Sequence, residues 1–287
     1  MSTEATRPPL GILHPGEMGL SVAATAQNSG HPVYWASMGR SAQTAERAAK
    51  RGLLDAQTVA GMVERCPIIV SVCPPDAAES VAEQVLAHGF RGLYVEMNAI
   101  SPARTVRIGA RMAAAGVRFV DGGIIGGPAW QPQRTWAYLA GDHAAEAAAC
   151  FAVGPLETSI LGREIGKASA LKMCFAAYSK GTTALLSAVL GAAEALNVRE
   201  ALAQQWARDE AAFPDQAAQR TRGVTAKAWR FAGEMDEIAS TFREAGLPSG
   251  FHEAAADVYR RMAAFKGASA LPSLDEVLAA LLRENHD

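Results

Sequence analysis

Several things are missing from this 287-residue chain. There is no cysteine pair: the four cysteines, Cys66, Cys73, Cys150 and Cys174, are scattered without a C-x-x-C spacing. That pattern suits reduced thiols in a cytoplasmic protein and offers no zinc site. The six histidines are also dispersed, with no H-E-x-x-H pair, so metal-assisted chemistry has no ligand set. Neither sign of charge is in excess. A net charge of −2 favours neither nucleic acid nor an anionic membrane surface as a partner. No apolar run is long enough to span a bilayer. The opening residues 1–9 are polar, include Glu4, and lack the apolar core of a signal peptide. What remains is a composition of 49% hydrophobic and 20% charged residues, ordinary for a globular protein, and a length that fits one or two domains.

The stretch Gly11-Ile12-Leu13-His14-Pro15-Gly16-Glu17-Met18-Gly19 ends an apolar run and opens a helical pattern. A dinucleotide-binding strand, turn and helix need that order. Gly16 lets the backbone approach a pyrophosphate, Gly19 lets the helix pack closely, and the helix N-terminus offers free N–H groups. His14 stands where the first glycine of G-x-G-x-x-G belongs, and Pro15 biases it towards an extended conformation. Further apolar strands are expected at 31–37, 67–73, 92–96, 117–121, 135–140 and 157–161. Between them lie helices at 16–29 and 41–51, one opening at Asp55, one capped by Asp76, and one starting at Ser101-Pro102. Strands alternating with helices over residues 1–166 predict a doubly wound α/β, Rossmann-type sheet. From Lys167 to residue 287 only helical patterns follow: one long apolar helix over 170–196, then 199–210, 223–246, 251–265 and 273–283. The long helix is apolar nearly all round, so it should be buried, partly by a second copy of the chain. A homodimer through the C-terminal helices is therefore expected.

An NAD-binding site usually places an acid on the ribose hydroxyls about 20 residues beyond the glycines. Here the second strand ends Ala36-Ser37-Met38-Gly39-Arg40-Ser41, with no acid. Arg40 suits a 2′-phosphate, with Ser37 and Ser41 as further hydrogen-bond donors, so NADP(H) is favoured over NAD(H).

Four segments together resemble the β-hydroxyacid dehydrogenase superfamily, which includes 3-hydroxyisobutyrate and 6-phosphogluconate dehydrogenases and the imine reductases. They are His14-Pro15-Gly16-Glu17-Met18-Gly19, Asn98-Ala99-Ile100-Ser101-Pro102, Asp121-Gly122-Gly123-Ile124-Ile125-Gly126-Gly127-Pro128, and Gly166-Lys167-Ala168-Ser169-Ala170-Leu171-Lys172. Their order covers essentially the whole chain and looks most like a less characterised, 6-phosphogluconate-dehydrogenase-like branch. The resemblance implies that the turn from His14 and Pro15 through Gly16, Glu17 and Met18 lines the pyrophosphate. It implies that Cys73-Pro74-Pro75 borders the cofactor and that Asn98 sits near the nicotinamide ribose. Gly126 and Gly127 then belong to a substrate loop, and Lys172 is the catalytic acid/base.

Hydride transfer to a carbonyl leaves an alkoxide that needs a proton. A lysine near the start of an apolar helix suits that role, because burial and the positive helix end both disfavour its ammonium form. Ser179 and Thr183 fall on nearly the same helical face, either touching substrate or packing a helix interface. The superfamily's carboxylate-binding serine aligns with Ile125, and its asparagines after the lysine align with Phe175 and Ala176. A buried carboxylate would lack partners there, so a comparatively apolar ketone or alcohol is expected. Trp130 is either a pocket wall or a packed tryptophan. Two alternatives remain open: an imine reductase, suggested by Asp121–Pro128, and a non-catalytic NADP(H)-binding protein.

Overall fold

The computed structural model describes residues 7–283. The chain divides into two compact units, Met1–Met173 and Cys174–Asp287, and the boundary falls inside one long helix.

In the first unit, strands and helices alternate: β1 (Leu10–Leu13), α1 (Glu17–Asn28), β2 (Val33–Trp35), α2 (Ala42–Lys50), β3 (Leu54–Asp55), α3 (Val59–Arg65), β4 (Ile68–Ser71), α4 (Ala78–Ala87), β5 (Leu93–Glu96), α5 (Pro102–Ala114), β6 (Arg118–Gly126), β7 (Thr135–Ala140), α6 (Ala144–Ala149), β8 (Leu156–Gly162), and then the start of α7 (Lys167–Ala195). The eight strands form one sheet in the order β3-β2-β1-β4-β5-β6-β7-β8. The first six are parallel, β7 runs antiparallel to β6, and β8 is parallel to β7. The expected α/β architecture is therefore present, with a reversed pair of strands at one edge. Alternation along each strand builds the core. Leu10, Ile12, Ile68, Val70, Leu93 and Val95 pack on one face of the sheet. Leu13, Ile69, Tyr94 and Phe119 pack on the other. Both faces are covered, so the parallel strands read as unbroken apolar runs.

Three local expectations are corrected. Asp55 ends β3 instead of opening a helix. Its carboxylate accepts the Gln57 N–H at 2.7 Å, and the following helix is capped by Thr58, whose hydroxyl accepts from Gly61 N at 3.0 Å. Asp76 caps nothing, because it lies inside a 3₁₀ turn, Pro75–Ala77, and α4 begins after it without a side-chain cap. The strand expected at 117–121 runs on to Gly126, which therefore ends a strand and does not lie in a loop. The added stretch is held by antiparallel pairing from Asp121↔Ala140 to Gly126↔Thr135.

The second unit is helical: the rest of α7, then α8 (Arg199–Asp209), α9 (Phe213–Gly223), α10 (Ala228–Glu244), α11 (Gly250–Arg261) and α12 (Leu274–Leu281). The expected helix over 223–246 starts later, as α10 after a 3₁₀ turn at Thr225–Lys227, and α9 before it was not expected. Pro214 sits in the first turn of α9, where its missing N–H is tolerated, and Gly223 ends that helix instead of starting one. Helix α12 opens with a reciprocal Ser273–Glu276 capping box. Lys180 on α7 and Glu234 on α10 form a mostly buried ion pair, and the Tyr259 hydroxyl of α11 donates to the Lys180 carbonyl at 2.8 Å. One side of α7 is open in the single chain, with Phe175, Tyr178 and Leu185 at 49%, 76% and 50% exposure. Among the described residues no helix is long and apolar enough to cross a membrane.

Candidate functional site

The strand order reverses between β1 and β4, and there the carboxyl ends of the strands open a crevice, the usual ligand position in such sheets. The chain leaves β1 through His14, whose φ of 65° is left-handed and not extended. Gly16 N–H donates to the His14 carbonyl at 2.7 Å, closing a three-residue turn about Pro15. The expectation of an extended His14 fails for this reason: the proline excludes the right-handed helical region, and the tight turn selects the left-handed one. The His14 carbonyl then faces α1, where a Cβ on Gly19 would meet it at 2.5 Å. Gly19 thus admits the turn to the helix.

Helix α1 begins at Gly16 with no side-chain cap, and a Cβ on Gly16 would meet nothing within 4 Å. The first N–H groups, from exposed Glu17 and half-buried Met18 onward, stay available for an anion. Burial and the nearby charge of Arg40 pull the His14 imidazole down to about 4, so it is neutral at ordinary pH. Its Nδ1 and the Arg40 Nε are both buried without a hydrogen-bond partner among the described residues. Burial also lowers Arg40, whose charge acts on His14 at the end of β1. An uncapped helix start, an open cradle at Gly16 and the unpartnered Arg40 Nε donor fit a phosphate-bearing dinucleotide. Ser37 is half-buried, and its carbonyl accepts the Arg40 N–H at 3.1 Å. Ser41 caps α2, its hydroxyl accepting from Thr44 N at 3.3 Å.

At the end of β4, Cys73 and Pro75 are half-buried and Pro74 is exposed. Asn98 is 3% exposed, and its side chain is spent on the chain itself. Its Oδ1 accepts the Cys73 N–H, its Nδ2 donates to Ser71 Oγ at 3.0 Å, and its own N–H donates to Glu96 Oε1 at 2.9 Å. Asn98 therefore fixes the Cys73-Pro74-Pro75 loop. Burial pushes the Cys73 thiol up to about 12, so it is a neutral wall and no nucleophile.

Two buried carboxyl groups lie side by side in the register pair Glu96↔Asp121. Reading the sequence alone assigned a role to neither. Burial above all, with the Asp121 charge adding, raises Glu96 to about 8. Asp121 is also raised by burial, but Ser169 and the N–H groups of Gly166, Ala168 and Ser169 pull it back. Asp121 holds the donors of this pair, accepting from Gly166, Ala168 and Ser169 N–H and from the Ser169 hydroxyl, which favours its ionised form over that of Glu96. Two residues further on the same face of β6, a Cβ on Gly123 would meet the Ala168 carbonyl at 2.6 Å and the Lys172 Cβ at 3.0 Å. Helix α7 therefore lies directly on β6, with half-buried Lys172 just beyond the carboxyl edge of the parallel strands. Ile125, next on that face, is 9% exposed, and Gly126 and Gly127 are exposed. Trp130 is half open at 49%, with the Arg51 guanidinium 5.7 Å from its ring.

Phe175 and Ser179 belong to the second unit. Phe175 is exposed, and the Ser179 carbonyl accepts from Thr183 at 2.9 Å and Arg220 at 3.1 Å. A separate groove of about 540 Å³ lies along α5 and the start of β6, away from the carboxyl edge.

Comparison with known proteins agrees with this geometry. Residues 10–153 match the family model of the NAD binding domain of 6-phosphogluconate dehydrogenase, and residues 193–262 match a domain of unknown function (DUF1932). A mitochondrial 3-hydroxyisobutyrate dehydrogenase of Drosophila melanogaster is 25% identical over 201 residues, 69% of this chain and 60% of that protein. The chain spans about three fifths of the length of the curated relatives it matches. Two solved structures share the fold. One is a 3-hydroxyisobutyrate dehydrogenase of Mycobacterium tuberculosis with L-serine (TM-score 0.69, 16% identity, 96% of this chain and 99% of that one). The other is an imine reductase of Myxococcus stipitatus in complex with NADP+ (TM-score 0.56, 19% identity, 96% and 100%). With its dinucleotide-binding model matched over half the chain and its helical second unit present, the chain belongs to the 6-phosphogluconate-dehydrogenase-type NAD-binding family of the β-hydroxyacid dehydrogenase superfamily.

Proposed function

We propose that this chain is an NADP(H)-dependent oxidoreductase acting between an alcohol and a carbonyl in a small, comparatively apolar substrate, with Lys172 as the acid/base. The His14–Met18 turn and the open N-terminus of α1 would hold the pyrophosphate. Arg40 would pair with the 2′-phosphate, and the loop fixed by Asn98 would border the nicotinamide side. The bound nicotinamide supplies or accepts the hydride. In reduction, the Lys172 ammonium gives its proton to the oxygen that gains charge, and in oxidation the amine takes that proton back. By the resemblance, Ile125 and Phe175 would each replace a hydrogen-bonding residue that holds a substrate carboxylate, and leaving such a group unpaired costs several kcal/mol. That favours an apolar ketone over a simple hydroxy acid.

The observation that carries this reading is the seating of Lys172: half-buried, its Cβ against Gly123, just past the carboxyl edge of the sheet. The imine reading draws on the shared fold with the imine reductase and on apolar Ile125. NADPH consumption across ketones, β-keto acids and cyclic imines separates the readings. Turnover of ketones, reduced about 10²- to 10⁴-fold in Lys172→Ala with NADPH affinity nearly unchanged, is expected. Turnover confined to imines would replace the carbonyl reading. NADPH binding without any turnover would leave a non-catalytic binding protein.

A further inference from the structure

We infer that Asp121 is a positioning residue for Lys172: its carboxylate clamps the first turn of α7 onto β6, and its charge favours the ammonium form of the lysine. The inference rests on the proposal that Lys172 is the acid/base.

The clamp is built from β6 alone on one side and one helical turn on the other. Asp121 Oδ2 accepts the N–H groups of Gly166 at 2.8 Å and Ala168 at 2.9 Å, while Ser169 N lies 3.2 Å and 3.3 Å from the two oxygens. Ser169 Oγ donates to Oδ1 at 2.5 Å. The Ser169 hydroxyl also meets Thr105 Oγ1 at 2.7 Å, which ties the same turn to α5. Every donor named here needs a lone pair, so the ionised carboxylate is the form that fits. A helix start normally leaves its first N–H groups open, as α1 does at Gly16. In α7 that end is instead closed by a buried anion. The two helix starts are thus opposite in kind, one left open to an external anion and one filled from within.

Two consequences reach Lys172. The first is geometric. Asp121 grips the turn and Gly123, on the same face of β6, leaves the space into which Ala168 and the Lys172 Cβ fit. Together they fix where the lysine side chain begins. The second is electrostatic. The positive end of a helix disfavours a nearby ammonium, and a buried carboxylate at that end reverses the effect. Among the described residues, Glu96 of β5 lies beside Asp121, mostly protonated at neutral pH, Ser169 of α7 bonds it, and Thr105 of α5 meets that serine; Glu164 and Lys167 at the start of α7 pair with each other at 3.0 Å in solvent. Arg104 of α5 acts on Glu96 and pairs with Glu79 at 3.5 Å. The charge on Asp121 is therefore the buried one at the start of α7 that substitution can remove while keeping the shape.

The test uses the full chain. Competitive acetylation with acetic anhydride between pH 7 and 11, read at the Lys172 peptide by mass spectrometry, gives the midpoint of that amine without needing a substrate. Asp121→Asn is expected to lower the midpoint by about half a pH unit or more. In the NADPH–ketone assay it lowers kcat by roughly 10- to 100-fold, with NADPH affinity within about threefold. Ser169→Ala removes one bond of the clamp and keeps the charge. Its kcat falls by about threefold to tenfold with the midpoint unmoved, and it carries the test if Asp121→Asn does not fold. An unmoved midpoint in Asp121→Asn overturns the inference. So does an unmoved kcat in either variant of an enzyme that Lys172→Ala silences. If Lys172→Ala retains full turnover, the acid/base proposal fails instead, and the acetylation midpoint still decides whether Asp121 acts on the amine.

Discussion

Glu96 is a carboxylic acid held in its neutral form. Its Oε2 is buried without a partner among the described residues, beside a second carboxyl group that takes the available donors. An acid whose folded value rises from 4.5 to about 8 keeps its proton in the native state over a range where the unfolded chain has lost it. The native state then binds more protons, so this group's contribution to stability is complete below about pH 4.5 and is lost as pH rises towards 8. Glu96→Gln keeps the shape and cannot ionise. It is expected to stabilise the protein by roughly 3–4 kcal/mol at pH 7 to 8 and by almost nothing near pH 4.5. Thermal melts of both proteins across that range check this, and a wild-type advantage at pH 8 would refute it. Arg40 carries a second residue-level expectation. Removing the Arg40 guanidinium, whose Nε is buried without a partner among the described residues, in Arg40→Ala should weaken NADPH binding about ten- to hundredfold and leave NADH binding nearly untouched. Fluorescence titration with both cofactors decides it, and equal losses would show that Arg40 does not read the 2′-phosphate.

Among the elements, the β6–α7 contact shows both what can be read in the chain and what cannot. The parallel strands were legible because burial on both faces writes an unbroken apolar run, as in Pro67–Cys73 and Gly92–Glu96. The glycine turn before α1 was legible as a turn, yet the left-handed His14 was not, because a pre-proline residue suggests an extended backbone and the closing bond to Gly16 shows only in three dimensions. The second half of β6 reads as a loop, since Gly122-Gly123 and Gly126-Gly127 suggest breaks. The structure gives Gly123 another reason: α7 crosses there, and the Ala168 carbonyl occupies the place of a side chain. Asp121 was unreadable as a clamp for the same cause, because all its donors come from a distant segment. A methyl group at Gly123 must push a helix backbone off a strand, with no flexible side chain to yield. Gly123→Ala is expected to destabilise the protein by about 1–3 kcal/mol and to lower kcat along with Lys172→Ala, which touches the same contact. A melting temperature equal to wild type would mean that α7 is free to shift and that its seating is not tight.

At the scale of the whole molecule, the unresolved matter is the open side of α7. Tyr178 and Leu185 lie seven residues apart and Phe175 one turn earlier, so the three exposed side chains fall within an arc of about 80°. From Gly181 to Ala193 the helix has no charged residue at all. Covering this side therefore removes apolar surface from water without stripping any ion of its hydration, at about 25 cal/mol for each Å². A lone surface helix normally carries charges on its outward face, so this length of α7 is expected to be covered. A second copy of the chain is the occupant we expect, since the same stripe on a symmetric partner supplies the matching apolar surface. Sedimentation or light scattering at micromolar concentration should give a dimer. Tyr178→Lys combined with Leu185→Glu puts ions on the stripe and should give a monomer that still binds NADPH, because neither residue belongs to the dinucleotide crevice. A wild-type monomer, or a double variant that remains dimeric, would show that this stripe is not the dimer contact, and the apolar length of α7 would then need another explanation.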